Sequence, residues 1–146
     1  MPNFRWVTIV NMTKSKAFSL PIRVYFQDTD AGGVVYHANY LNFMERARTE
    51  WLRTYGHSNA ELMKEFGMVF VMRSVKLDYL KPALLDDLLE VTAQIKDIGR
   101  SRVTLLQTVR RGDELLTEAE VHLVCVSLES FKPVSVPEIL RKQWTN

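Results

Sequence analysis

From Asn39 onward the apolar residues fall at helical spacing. Tyr40, Phe43, Met44, Ala47, Trp51 and Tyr55 recur every three or four positions, and Leu41 and Leu52 widen the stripe. One face of a long helix is therefore apolar and needs a partner surface. Asn39 stands where an N-cap belongs, and Gly56 can end the helix. A short second helix follows: Ser58 and Glu61 form the S-x-x-E capping pattern, Leu62, Met63 and Phe66 make its apolar side, and Gly67 stops it.

The period then changes to two. Val69, Val71, Val75, Leu77 and Tyr79 form one alternation, and Leu89, Val91, Ala93 and Ile95 form the next. A strand over residues 101–110 and a last alternation through Leu115, Thr117, Ala119, Val121, Leu123 and Cys125 complete the series. Gly99-Arg100 and Arg111-Gly112-Asp113 read as hairpin turns. Upstream, IRVYFQ after Pro21 is strand-like, while residues 1–20 have no clear period and read as an arm or a partial strand. Pro133 and Pro137 break the tail before a short apolar end. The predicted order is strand, long helix, short helix, then four strands joined by hairpins. That is an α+β class, with residues 21–146 as one domain and an antiparallel sheet covering the long helix.

Composition narrows the function classes. The chain has 146 residues, is 47% hydrophobic and 25% charged, and carries a net charge of +2. So small a charge gives no nucleic-acid footprint. The single cysteine, Cys125, lies in an apolar run, which excludes an internal disulfide and reads as a small buried hydrophobe. No run is long and apolar enough for a membrane span, and no secretory cleavage pattern follows the first residues. The expected location is cytoplasmic.

The chemistry concentrates in QDTDAGGVVYHANY, just before the long helix. Glycines allow close approach of another molecule, a helix N-terminus offers free N–H groups, and a nearby carboxylate can act as base or nucleophile. Aspartates also form ordinary turns, and a histidine at a helix entrance can be structural. Spacing leaves both readings open for Asp28, Asp30 and His37. Glu45 and Glu50, interleaved with Arg46, Arg48 and Arg53, read as a solvated or ion-paired face. G-x-S-x-G, P-loop and H-E-x-x-H motifs are absent.

The stretch VYFQDTDAGGVVYHANYLNFMERARTEWLR closely resembles the signature of the hotdog-fold acyl-CoA thioesterases, in the branch linked to the Tol-Pal system; 4-hydroxybenzoyl-CoA thioesterase is a broader relative. The resemblance covers roughly residues 21–136. It implies an antiparallel sheet wrapped around one central helix, pairing of subunits through the sheet into homodimers or homotetramers, and active sites between subunits. It implies Asp30 as nucleophile or general base, with His37 assisting. Backbone N–H groups of Tyr36 and His37 would face the carbonyl oxygen, with Val69 of a second subunit as a further donor. Arg100, Ser101 and Arg102 would bind the nucleotide end of coenzyme A.

No cofactor is implied, coenzyme A being part of the substrate. Acyl carrier protein or inner-membrane lipid-synthesis enzymes are candidate partners, with a peripheral place at the inner membrane. The chain departs from the benzoyl-type relatives, which carry tyrosine at the position of His37 and proline at that of Ala31. It also lacks the D-x-N-P-x-H of hydratase relatives. A non-catalytic acyl-group or carrier-protein binding module is the alternative.

Overall fold

In the computed structural model, which describes residues 17–145, the amphipathic run folds as helix α1, Asn39–Arg53. Its buried residues are Tyr40, Phe43, Met44, Ala47, Trp51 and Leu52, so stripe and burial coincide. The helix start differs from expectation. Ala38 occupies the cap position with no side-chain bond, because the Asn39 side chain bonds Asp28 and Asn42 instead.

Helix α2, Asn59–Phe66, has the expected ends: Ser58 Oγ accepts from the Glu61 N–H, and Gly67 closes the helix in the left-handed region at φ 61°. Of its expected apolar side Leu62 is buried, whereas Met63 and Phe66 stay exposed.

Five strands form one antiparallel sheet: β1 Phe18–Arg23, β2 Met68–Tyr79, β3 Leu88–Ile98, β4 Arg102–Arg111 and β5 Glu114–Ser127, in the order β1-β3-β4-β5-β2. Strand β1 begins before Pro21 and stops at Arg23; the residues expected to extend it turn instead into a 3-10 segment, Phe26–Asp28. Proline is tolerated in β1 because an edge strand has one unpaired side.

The four later strands are not one meander. Strands β3, β4 and β5 are consecutive neighbours, but β2 pairs with β5, and residues 80–87 carry the chain to β3 on the other side of the sheet. The β3–β4 turn also shifts by one residue. Gly99 N–H bonds the Arg102 carbonyl, which leaves Arg100-Ser101 as its centre.

Strand β2 changes phase in its middle. The pairing slips between Met72 and Ser74, so Phe70 and Met72 lie opposite Cys125 and Leu123, while Val75 and Leu77 lie opposite Val121 and Ala119. A bulge at Arg73 therefore moves Val69 and Val71 to the other face from Val75 and Leu77, and the simple alternation expected there does not hold. Beyond Pro137 the tail forms helix α3, Glu138–Thr145, which buries Leu140 and Trp144.

Helix α1 lies on the inner face of the sheet, against β1, β3 and β4. Leu89, Val91 and Ala93 of β3, Val103, Leu105 and Val109 of β4, and Val121 and Cys125 of β5 are fully or almost fully buried. Cys125 is thus a core residue, and burial pushes its thiol up to about 11. The predicted α+β class and the wrapping of the sheet around one long helix are what the molecule has.

Candidate active site

Residues 28–36 fold back on themselves. Thr29 and Val35 form an antiparallel bridge, the Asp30 N–H bonds the Val34 carbonyl, and the Tyr36 N–H bonds the Asp28 carbonyl. Gly33 turns the tip at φ 76°, a conformation that side chains resist, and its N–H bonds the Asp30 carbonyl. The loop is braced by the segment between β2 and β3: Leu85 N–H donates to the Gly33 carbonyl and Val35 N–H to the Ala83 carbonyl. That segment is anchored by Asp87, whose carboxylate accepts from the Leu84 N–H at 2.8 Å and from Arg111 at 2.6 Å. The Asp87 carboxylate, and then that of Glu114, hold the Arg111 pKa above its ordinary value.

The two aspartates of the D-T-D motif have opposite environments. Asp28 is 8% exposed, and its carboxylate accepts from the Tyr25 N–H at 2.8 Å and from Asn39 Nδ2 at 2.9 Å. It ties the 3-10 turn to the start of α1. Asp30 is exposed at the loop tip, where its carboxylate accepts from the Gly32 N–H at 3.0 Å. Asp28 is committed to structure; Asp30 keeps lone pairs free for another molecule.

The entrance of α1 corrects one expectation. The Tyr36 N–H is spent on Asp28 and cannot face a substrate. His37 and Ala38, by contrast, make no backbone hydrogen bond through their N–H groups among the described residues. These are the open donors at the positive end of the helix. The His37 ring is exposed, 4.8 Å from the Tyr36 ring and 6.1 Å from that of Tyr79. An open pocket of about 250 Å³, with His37, Tyr40, Tyr79 and Pro82 in its wall, adjoins this entrance.

Val69, Arg100, Ser101 and Arg102 lie elsewhere. Val69 is the second residue of β2, and Tyr79, at that strand's other end, reaches the His37 carbonyl. At about 3.3 Å per residue Val69 and Tyr79 are separated by roughly 33 Å. The β3–β4 turn is on the Val69 side: the Ser101 carbonyl accepts from the Cys125 N–H, and Cys125 pairs with Phe70. Helix α3 holds that turn through Arg141, which donates to the carbonyls of Gly99 and Arg100. Within one chain, then, Asp30 and His37 share one end of the sheet, and Val69 and Arg100–Arg102 share the other.

A smaller cavity of about 110 Å³ opens beside the second half of α1, walled by Phe70, Met72, Leu105 and Leu123 with Glu45, Arg48 and Thr49 at its polar side. Arg48 is not part of a solvated face. It donates to Gln107 Oε1 at 2.9 Å, Gln107 Nε2 donates to the Met44 carbonyl at 3.0 Å, and burial lowers the Arg48 pKa. Sequence spacing missed this pair because a glutamine in strand alternation carries no mark of a partner on a helix. Phe43 and Met44 of the α1 stripe are core, whereas Met72, half-exposed on β2, lines this cavity.

Residues 32–118 match the thioesterase superfamily. The acyl-CoA thioesterase YbgC of Haemophilus influenzae is 45% identical over 121 residues, covering 83% of this chain and 89% of that protein. The acyl-CoA thioester hydrolase YbgC of Escherichia coli is 48% identical over 122 residues, covering 83% and 90%. Among solved structures, a probable thioesterase from Bartonella henselae superposes with a TM-score of 0.80 at 35% identity, covering 83% of this chain and 99% of that one. An antiparallel sheet wrapped around one long helix is the hotdog fold that these thioesterases share. The chain belongs to the thioesterase superfamily and is a thioester hydrolase.

Proposed function

We propose that the chain hydrolyses an acyl-CoA thioester to the free acid and coenzyme A, with Asp30 as the reacting carboxylate. The observation that carries this reading is the contrast between Asp28, buried and bonded by two donors, and Asp30, exposed with one. A carboxylate free to react, on the loop that leads into open N–H groups at a helix N-terminus, is the minimum that thioester hydrolysis needs. Either Asp30 attacks the carbonyl carbon and expels the thiolate, leaving a mixed anhydride that water hydrolyses to the free acid and the regenerated carboxylate, or it takes a proton from a water that attacks the carbon and displaces the thiolate. In both routes the C–S bond breaks and the His37 N–H faces the developing oxyanion. The departing thiolate has a conjugate-acid pKa near ~8.5 and leaves without a strong general acid. The reaction draws on no cofactor. The acyl-CoA relatives named above support coenzyme A as the carrier.

The site is completed by a second copy. Strand β2 pairs with β5 on one side and has no strand on its other side among the described residues. If two β2 strands run antiparallel about Ser74, Val69 of the second copy arrives opposite Tyr79. Arg100 and Arg102 of that copy come with it, to the end that holds Asp30. Their guanidinium groups then suit the phosphates of coenzyme A. This pairing makes the homodimer the functional unit, and a homotetramer would be built from it. We place the enzyme in the Tol-Pal branch and in the cytoplasm, working alone or beside inner-membrane lipid-synthesis enzymes and acyl carrier protein; no helix among the described residues is long and apolar enough to cross a membrane.

The test is thiol release from acyl-CoAs of increasing chain length and a benzoyl-type thioester, with wild type and Asp30→Asn compared. Turnover that depends on Asp30 supports the reading, and the chain-length profile identifies the acyl group. Absence of turnover on every member would sink it in favour of a binding module.

A further inference from the structure

Resting on the reading above, we propose that Tyr79 is a positioning residue for hydrolysis: its phenol holds the His37 peptide so that the N–H groups at the entrance of α1 point at the thioester oxygen. Tyr79 is the last residue of β2, and its hydroxyl donates to the His37 carbonyl at 2.7 Å. The neighbouring carbonyls are engaged inside the helix entrance, Tyr36 by the Asn39 N–H and Ala38 by the Leu41 N–H. The His37 carbonyl is instead held by a side chain from the sheet.

A planar trans peptide directs its C=O and its N–H in opposite directions, so fixing one aims the other. The Tyr36–His37 peptide is fixed through the Tyr36 carbonyl, which aims the His37 N–H. The His37–Ala38 peptide is fixed through Tyr79, which aims the Ala38 N–H and sets the backbone of His37 from its other side. Two adjacent open N–H groups are thereby held in fixed directions before substrate arrives, which is what makes such donors effective.

The phenol is itself held in place. The Tyr79 ring packs edge-on against Tyr40 at 5.3 Å, and the Tyr40 hydroxyl accepts from the Ala83 N–H at 2.9 Å. Partial burial raises the Tyr79 pKa, so the group remains a donor at neutral pH. Yet Tyr79 is 48% exposed, more than a residue kept solely for core packing. Its position at the end of the open edge strand also links the helix entrance to the edge that a second copy would cover.

Tyr79→Phe in the full chain removes the hydroxyl and keeps the ring. The expected result is a kcat about 10-fold lower, the size of one lost hydrogen bond, with KM within about 2-fold and with thermal midpoint, oligomeric mass and pH profile unchanged. A transition-state interaction lowers kcat without weakening substrate binding. An unchanged kcat, while Asp30→Asn is inactive, overturns the role of Tyr79 and leaves the thioesterase reading standing. A fall in kcat with a raised KM and a lowered thermal midpoint means general loosening and also overturns it. Loss of the alkaline limb of the pH profile would make Tyr79 a proton donor instead. Full turnover by Asp30→Asn removes the underlying reading, and the role of Tyr79 with it.

Discussion

The two ends of the sheet are built on different principles. At the loop end, backbone and side-chain bonds hold a short excursion: Asp28 clamps the helix entrance, Asp87 and Arg111 clamp the brace, and Gly33 makes the tip. One carboxylate, Asp30, is left with a single bond. At the other end the β3–β4 turn is held through its carbonyls, by Val136, Cys125 and Arg141. Its arginine side chains at 100 and 102 remain exposed. One end presents an exposed carboxylate and the other presents exposed guanidinium groups. A chemical step and a recognition step can thus be placed at opposite ends of one subunit, provided that a second subunit brings them together.

The sharpest way to break this comparison is Asp30→Asn. We expect kcat to fall at least ~100-fold, the lower range for a lost general base, with mass in solution and unfolding midpoint unchanged. Asp28→Ala should do the reverse. Removing a carboxylate that serves two part-buried donors costs roughly 2–3 kcal/mol, read as a lower denaturant midpoint. A variant as stable as wild type would show that Asp28 is not the clamp described.

At the other end, Arg100→Ala with Arg102→Ala should raise KM for an acyl-CoA about 10-fold, the worth of one or two charge-assisted bonds at an exposed site, with little change in kcat. Mixing this double variant with Asp30→Asn gives the decisive comparison. Mixed dimers contain one site with an intact loop end and an intact turn end, so turnover at low substrate should exceed that of either variant. No recovery after confirmed subunit exchange would mean that each chain carries a whole site.

The smallest effect concerns Glu114. Hydrogen bonds first from Lys81 and then from Arg111 hold its carboxyl below the usual range. A depressed carboxyl contributes stability above its unfolded pKa, near ~4.3, and loses it as pH falls through the folded value. Glu114→Gln should therefore be slightly less stable at pH 7 and should converge with wild type in acid. A constant difference across that range would place the effect elsewhere.

Legibility in the sequence followed the distance over which each pattern acts. The stripe of α1 was readable because its residues lie within a turn or two of one another, and the cap of α2 because Ser58 and Glu61 are three apart. The place of β2 beside β5 was not, since pairing between distant strands leaves no local mark. The bulge at Arg73 was hidden as well, because Val69 and Val71 suit a strand on either face. Helix α3 offered a weak signal in Pro137, Glu138 and the Leu140–Trp144 spacing, too short to stand out from an apolar tail.

The loop itself was conspicuous, but its two aspartates were not distinguishable by spacing. Burial separates them, and burial depends on where Asn39 and Tyr25 come to lie. Arg48 looked like its solvated neighbours because Gln107, its partner, is a strand away.

The position of β2 also bears on the order in which the molecule can be made. On a chain emerging from its N-terminus, α1 and the D-T-D loop are available early, and β2 soon after. But Met68 pairs with Ser127 and Tyr79 with Thr117, so β2 has no strand to join until β5 has been synthesised. Contacts that distant in sequence form slowly. Until then the His37 carbonyl lacks a steady phenol and the open edge lacks a frame on which to pair. Strand β2, with the phenol at its end and the edge on which a second copy would pair, is therefore framed only once β5 is present.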